Sequence, residues 1–179
     1  LTSRPQGKGS ERVPLCGVPH HRLESYLARL VEKGYKVAIC EQLEESQKGK
    51  RIVKRDVVRV VTPGTLFETG GKEQTLAALF PEKEHVGAAF LELATGEFLI
   101  AETTWADLPG LFGKLQPKEI VLRAGERIDS TGHADVFVTE RPSAEFTPER
   151  ALSQLTHAFG HGVAEALALS NRRSLIAAG

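Results

Sequence analysis

The sequence has 179 residues, 41% hydrophobic and 26% charged, with Lys+Arg and Asp+Glu balanced at 23 each. This excludes a disordered chain, because the apolar content is enough to fill a core at this length. No apolar run approaches the roughly 20 residues that span a bilayer, so a membrane-spanning helix is excluded as well. The two cysteines, Cys16 and Cys40, have no Cys-x-x-Cys or His partner and read as reduced cytosolic thiols. The start at Leu1 and the lack of Met lead to the expectation of a piece of a longer protein. The balanced charge is unevenly spread. Residues 1–65 hold 13 basic and 7 acidic side chains, a net +6, and residues 66–179 carry −6. Such a split predicts one segment that meets a polyanion and one that does not.

In chain order, residues 1–19 read as loop, punctuated by Pro5, Gly7, Gly9, Pro14, Gly17 and Pro19. From His20 the spacing of Leu23, Tyr26, Leu27, Leu30 and Val31 predicts a helix with one apolar stripe, stopped by Gly34. Tyr35–Cys40 alternates as a half-buried strand, and residues 44–55 read as a charged loop. Val57–Val61 is a second strand, ended by Thr62-Pro63-Gly64-Thr65. A short helix is predicted over Lys72–Phe80, closed by Pro81. Val86–Leu93 and Glu97–Glu102 flank a tight loop and predict a hairpin. Trp105–Leu115 reads as a helix with Pro109 in its first turn, and Glu119–Leu122 and Val136–Val138 as strands. Pro148–Phe159, capped by Thr147, and Val163–Ala178 read as helices. The alternation predicts a mixed α/β fold.

Phosphate-cradling glycine motifs are missing: there is no G-x-x-x-x-G-K-[ST] and no G-x-G-x-x-G, so this chain is not expected to hydrolyse ATP. His157, His161 and Glu165 would share one face of a continuous helix, yet two turns of stagger make a poor metal site. Glu92, Glu97 and Asp135 lie on or beside strands, and their convergence would suit a two-metal nuclease. The basic residues point elsewhere. Arg4, Lys8 and Arg12 are spread through a Gly/Pro-rich stretch, and Lys48, Lys50, Arg51, Lys54 and Arg55 precede a strand. Both sets suit phosphate contacts. A solvated loop without a partner fits the same composition.

Three runs are more specific. Gly17-Val18-Pro19-His20-His21, Leu23-x-x-Tyr26-Leu27-x-x-Leu30 and Val37-Ala38-Ile39-Cys40-Glu41-Gln42 resemble the end of the mismatch-recognition domain of the MutS family of DNA mismatch repair proteins. Val53 to Thr65 is similar to that family's passage from its first to its second domain, and Phe90–Phe98 to the hairpin of its connector domain. Pro117-x-Glu119 and the closing Ala177-Ala178-Gly179 fit too, while His20 stands where the family usually has Tyr.

The resemblance implies two small mixed α/β domains, the second RNase H-like. Residues 1–65 would be the C-terminal part of the DNA-contacting domain, and residues 66–179 a connector domain truncated at its C-terminal helix. The family's mispair-stacking wedge would lie upstream of Leu1, and its ATPase and clamp domains downstream of Gly179. The implied DNA-binding residues are Arg4, Lys8, Arg12, Pro14, Leu15, Gly17, Lys54 and Arg55, with Leu15 near the minor groove. Double-stranded and mismatched DNA, MutL, the rest of the chain and a dimer partner are the implied partners. No membrane is expected, and the implied location is cytoplasmic and nucleoid-associated. No cofactor is expected in this chain, ATP and Mg²⁺ belonging to the full-length family. The reading is a non-catalytic binding module. Its rivals are an RNase H-like nuclease and a protein–protein connector that binds no DNA.

Overall fold

The computed structural model describes residues 2–5, 12–44, 53–66, 74–128, 136–167, 169, 172, 176, 178 and 179, the side chains of 2–5 and 12–15 excepted. Its contacts divide the chain into two units, Leu1–Val61 and Thr62–Gly179.

The first unit begins with two strands where a loop is expected. β1 (Thr2–Pro5) and β2 (Arg12–Leu15) pair antiparallel, with Ser3 opposite Pro14 and Pro5 opposite Arg12. Proline is compatible with a two-stranded ribbon, where each strand has one edge without a ladder and a missing N–H breaks nothing there. A 3₁₀ turn, His20–Arg22, leads into α1 (Leu23–Val31). The predicted stripe is only partly covered: Leu27 and Val31 are buried, whereas Tyr26 and Leu30 keep about two-fifths of their surface exposed. Gly34 takes a left-handed φ of +79°, and the next amide, Tyr35 N–H, donates back to Leu30 O at 3.1 Å, closing the helix.

β3 (Val37–Gln42) and β4 (Arg55–Val61) form a second antiparallel ribbon. Its register runs from Val37↔Val61 to Ile39↔Arg59, then shifts to Cys40↔Val57, which leaves Val58 as a β-bulge. The extra residue changes the side-chain parity of β4. Ala38, Cys40, Gln42, Arg55, Val57 and Val60 share one face, and all are exposed. Val37, Ile39, Arg59 and Val61, half-buried to buried, share the other with Glu41 and Asp56, which are exposed.

The second unit is built on a five-stranded sheet in the order β7-β6-β5-β8-β9. β5 (Thr75–Glu82), β6 (His85–Glu92) and β7 (Phe98–Thr104) are an antiparallel meander. α2 (Leu108–Leu115) then crosses over, so that β8 (Glu119–Arg123) runs parallel to β5, and β9 (Phe137–Arg141) runs parallel to β8. Pairing explains why β5 is not the predicted helix. The run Leu76-Ala77-Ala78-Leu79 has good helix formers, but it sits between β6 and β8, and two ladders outweigh propensities of a few tenths of a kcal/mol per residue. Pro81 is tolerated because it lies beyond the Leu76–Ala78 stretch that pairs with β8.

Alternation divides the sheet between two layers. Ala77, Leu79, Val86, Ala88, Phe90, Ile120 and Leu122 form a core with Leu108 and Phe112 of α2, where Phe90 meets Phe112 edge-on at 6.1 Å. Phe98 and Ile100 face the opposite way, toward Leu155 of α3 (Pro148–Phe159) and Val163 of α4 (Val163–Ala166). Pro109 lies in the first turn of α2, as predicted, but Trp105 precedes the helix in a turn, its indole N–H donating to Lys83 O at 3.2 Å. Thr147 is extended before α3 but makes no side-chain cap. The expected helix from Val163 to Ala178 is continuous only to Ala166, and much of the remainder lies outside the described residues. Among the described residues, no helix is long and apolar enough to cross a membrane.

The Thr62–Thr65 turn packs with the second unit. The Thr65 amide donates to Thr62 O at 3.1 Å, and the two threonine hydroxyls lie 2.7 Å apart. Gly64 is buried, and its N–H donates to Glu119 Oε2 at 2.9 Å. A Cβ at residue 64 would stand 2.6 Å from Glu119 Cβ and 2.8 Å from Leu76 Cδ1. Gly64→Ala is therefore expected to lower the urea midpoint, corresponding to about 1–3 kcal/mol from overpacking; an unchanged midpoint would mean that the turn can move aside.

Candidate nucleic-acid interface

A surface that grips phosphates needs basic side chains and free backbone amides on one accessible element. In the first unit the β1–β2 ribbon gathers four of the residues singled out from the sequence. Arg4 stands opposite Val13 and Arg12 opposite Pro5, so two arginines eight residues apart occupy successive rungs, one on each face of the ribbon. Pro14 stands opposite Ser3 and Leu15 opposite Thr2. Lys8 falls between the strands, outside the described residues, as do Lys48, Lys50 and Arg51. Gly17 follows the ribbon and is exposed.

Lys54 and Arg55 lie on the other ribbon. Both are exposed; the Lys54 carbonyl accepts from Leu43 N–H at 3.0 Å, and Arg55 pairs with Gln42 at the start of β4. Arg59, four residues further, looks in sequence like an extension of the same basic face. The bulge at Val58 turns it to the opposite face, where it is half-buried. No sequence signal marks that bulge, because a valine in a run of valines leaves the register open.

The basic residues of the second unit are partly engaged within it. Glu145 grips Arg141 through two bonds of 2.9 and 3.0 Å. Arg123 pairs with Glu126 and lies 5.1 Å over the Phe80 ring.

The carboxylates set out for a nuclease have a different setting. Glu92 and Glu97 line a cleft of about 190 Å³ with Thr75, Thr95, Lys114 and Leu115, at the end of the sheet beside α2. Glu92 Oε1 accepts from Gln74 N–H at 3.2 Å and Ala94 N–H at 3.0 Å, and Oε2 accepts from the Thr75 hydroxyl at 3.3 Å. Its oxygens thus tie the start of β5 to the β6–β7 turn. Asp135 lies outside the described residues. His157, His161 and Glu165 do not share a helix face: α3 ends at Phe159, Gly160 takes a φ of +90°, and His161 sits in the turn before α4. Among the described residues, no group of three or more His, Cys, Asp or Glu could hold a metal ion.

Residues 1–70 match MutS domain I, and residues 74–179 match MutS domain II. The chain belongs to the MutS family. It is 49% identical over 151 residues to the DNA mismatch repair protein MutS of Persephonella marina, covering 83% of this chain and 17% of that protein. It is 48% identical over 130 residues to the MutS of Aquifex pyrophilus, with 72% and 15% covered. With the MutS of Symbiobacterium thermophilum it shares 42% over 173 residues, with 89% and 20% covered. The chain spans a fifth or less of the length of these relatives. The matched parts are MutS domains I and II, not the ATPase domain. The Thr62–Thr65 turn lies within the MutS domain I match, yet its contacts belong to the second unit.

With Glu92 serving the hairpin, Glu92→Ala is expected to lower stability by about 1–2 kcal/mol through its lost charge-assisted bonds. Millimolar Mg²⁺ is expected to leave the melting temperature of the unsubstituted chain unchanged. A rise of several degrees that Glu92→Ala abolishes would make the cleft a metal site.

Proposed function

We propose that the first unit of this MutS chain contributes phosphate and minor-groove contacts to duplex DNA, matched or mismatched. The observation that carries this reading is the β1–β2 pairing, which gathers Arg4, Arg12, Pro14 and Leu15 on one short ribbon, with the two arginines on successive rungs and hence one on each face. Lys8 lies in sequence between its two strands, Gly17 follows it, and Pro14 and Leu15 belong to its second strand. Lys54 and Arg55 add exposed charge on the second ribbon. The net +6 of residues 1–65 supports the same assignment, since counterion release drives binding wherever such charge meets a polyanion.

The second unit is read as the connector domain, the part of the family that relays nucleotide state and docks MutL. Its sequence carries a net −6 over residues 66–179, which disfavours contact with DNA and leaves its surface for protein. The chain performs no catalysis in this reading; nucleotide chemistry, and with it ATP and Mg²⁺, belongs to the remainder of the protein. Its working place is the cytoplasm, at the nucleoid.

Labelled duplexes with and without a G·T mispair, incubated with the chain in Mg²⁺ at two salt concentrations, test the reading on native and denaturing gels. A salt-sensitive shift of both duplexes without strand breaks is expected. Replacing Arg4 and Lys8 by Ala is expected to weaken both complexes alike and to reduce the salt slope by about one to two units. An unchanged slope would remove the ribbon from the interface. Strand breaks abolished by Glu92→Gln would make the chain a nuclease, and no shift at either salt concentration would leave only the connector role.

A further inference from the structure

Pro63-Gly64 reads in sequence as a tight turn that ends a strand, yet Gly64 does not use its conformational freedom. The glycines with a positive φ are Gly34, Gly96, Gly125 and Gly160, among the described residues, and Gly64 is not one of them. What requires glycine at 64 is proximity, since a Cβ there would overlap Glu119 Cβ and Leu76 Cδ1.

The groups around the turn hold it from three strands. Glu119, on β8, is 2% exposed, and each of its oxygens has its own donor. Oε2 takes the Gly64 N–H at 2.9 Å, and Oε1 takes the Thr139 hydroxyl of β9 at 2.5 Å. Leu76 of β5 lies against Gly64. Just before β5, the Gln74 amide nitrogen, oriented toward acceptors, donates to Pro63 O at 2.7 Å and Leu66 O at 3.0 Å. The turn also closes on itself, with Thr62 N–H donating to Thr65 Oγ1 at 2.8 Å. Thr62 and Leu66 at its two ends are buried.

We infer that Thr62–Leu66 is an anchor belonging to the second unit rather than a joint, and that Glu119 is the positioning residue that clamps it. Any reorientation of the first unit is then taken up N-terminal to Thr62. A displacement that reaches the anchor is delivered to β8 and β9 through one carboxylate, because a buried acceptor with two donors does not release one of them without leaving it unpaired. The clamp is independent of what the first unit binds.

Amide hydrogen exchange and ¹⁵N relaxation, measured by NMR on the intact chain, test this. In the unsubstituted chain the Gly64 amide is expected to be protected within about tenfold of the β5–β6 core amides. Its order parameter is expected near ~0.85, the value of rigid backbone. Glu119→Ala is expected to speed Gly64 exchange about tenfold or more while the β5–β6 amides keep their protection. Glu119→Gln keeps an acceptor for Gly64 and offers its NH₂ to the Thr139 oxygen, so it is expected to restore protection. An unprotected Gly64 amide, or an order parameter below ~0.6 in the unsubstituted chain, would overturn the anchor even if Glu119→Ala does not fold. Equal loss of protection across the whole sheet in Glu119→Ala would reduce Glu119 to a general stabilising residue.

Discussion

A carboxylate withdrawn from water must find donors for both oxygens, and in this chain Glu119 finds one in a turn and one in a neighbouring strand. The constraint reaches outward from there. Gly64 must lack a side chain, because Leu76 and Glu119 occupy the space it would take, and Thr139 must point its hydroxyl to the same face of the sheet. That face is set by the ladder: Glu119 and Val121 alternate with Ile120 and Leu122, and the latter pair fills the core under α2. A shift of β8 by one residue would put Glu119 into that core and Ile120 against the turn. The polar clamp and the apolar core therefore specify the same register from opposite faces.

The sheet that carries the clamp combines two kinds of pairing. β5, β6 and β7 are joined by short turns and pair antiparallel, which local contacts readily build. β8 and β9 pair in parallel and depend on contacts far apart in sequence; Gly64 and Glu119 are separated by 55 positions. Both faces are covered, by α2 on one side and by α3 and α4 on the other. This explains why the central strands read as nearly continuous apolar runs, Val86 to Phe90 being buried throughout. Among its described residues, the first unit has no pair of helical layers of this kind. Its two ribbons are separate, and only Leu27, Val31 and Val61 are buried among its described side chains.

Much of this was legible in the sequence where one local rule decided the outcome. The Gly34 stop, the hairpin around Ala94-Thr95-Gly96 and Pro109 in the first turn of α2 follow from turn chemistry and from proline's fixed φ. The failures share a different cause. β5 has a helix-forming composition, and only its neighbours make it a strand. Residues 2–5 and 12–15 were hidden by their prolines, since a ribbon with free edges tolerates them. The charged residues of the candidate interface could be named from composition, but their grouping could not. Arg4 and Arg12 come onto one ribbon only through a strand pairing, and Arg55 and Arg59 are parted by a bulge that a run of valines conceals. Glu119 was visible as the start of a strand and as part of Pro117-x-Glu119, and nothing local to that run foretells the glycine it meets.

The bulge at Val58 has a consequence for the chain in solution. By bringing Val57 and Val60 onto one face with Ala38 and Cys40, it gathers apolar surface that regular alternation would have split between two sides. Side chains that would each be harmless alone become a contiguous sticky strip, with an exposed thiol among them. Apolar surface gathered in this way favours contact with a second apolar surface over contact with water, which regular alternation along β4 would have avoided.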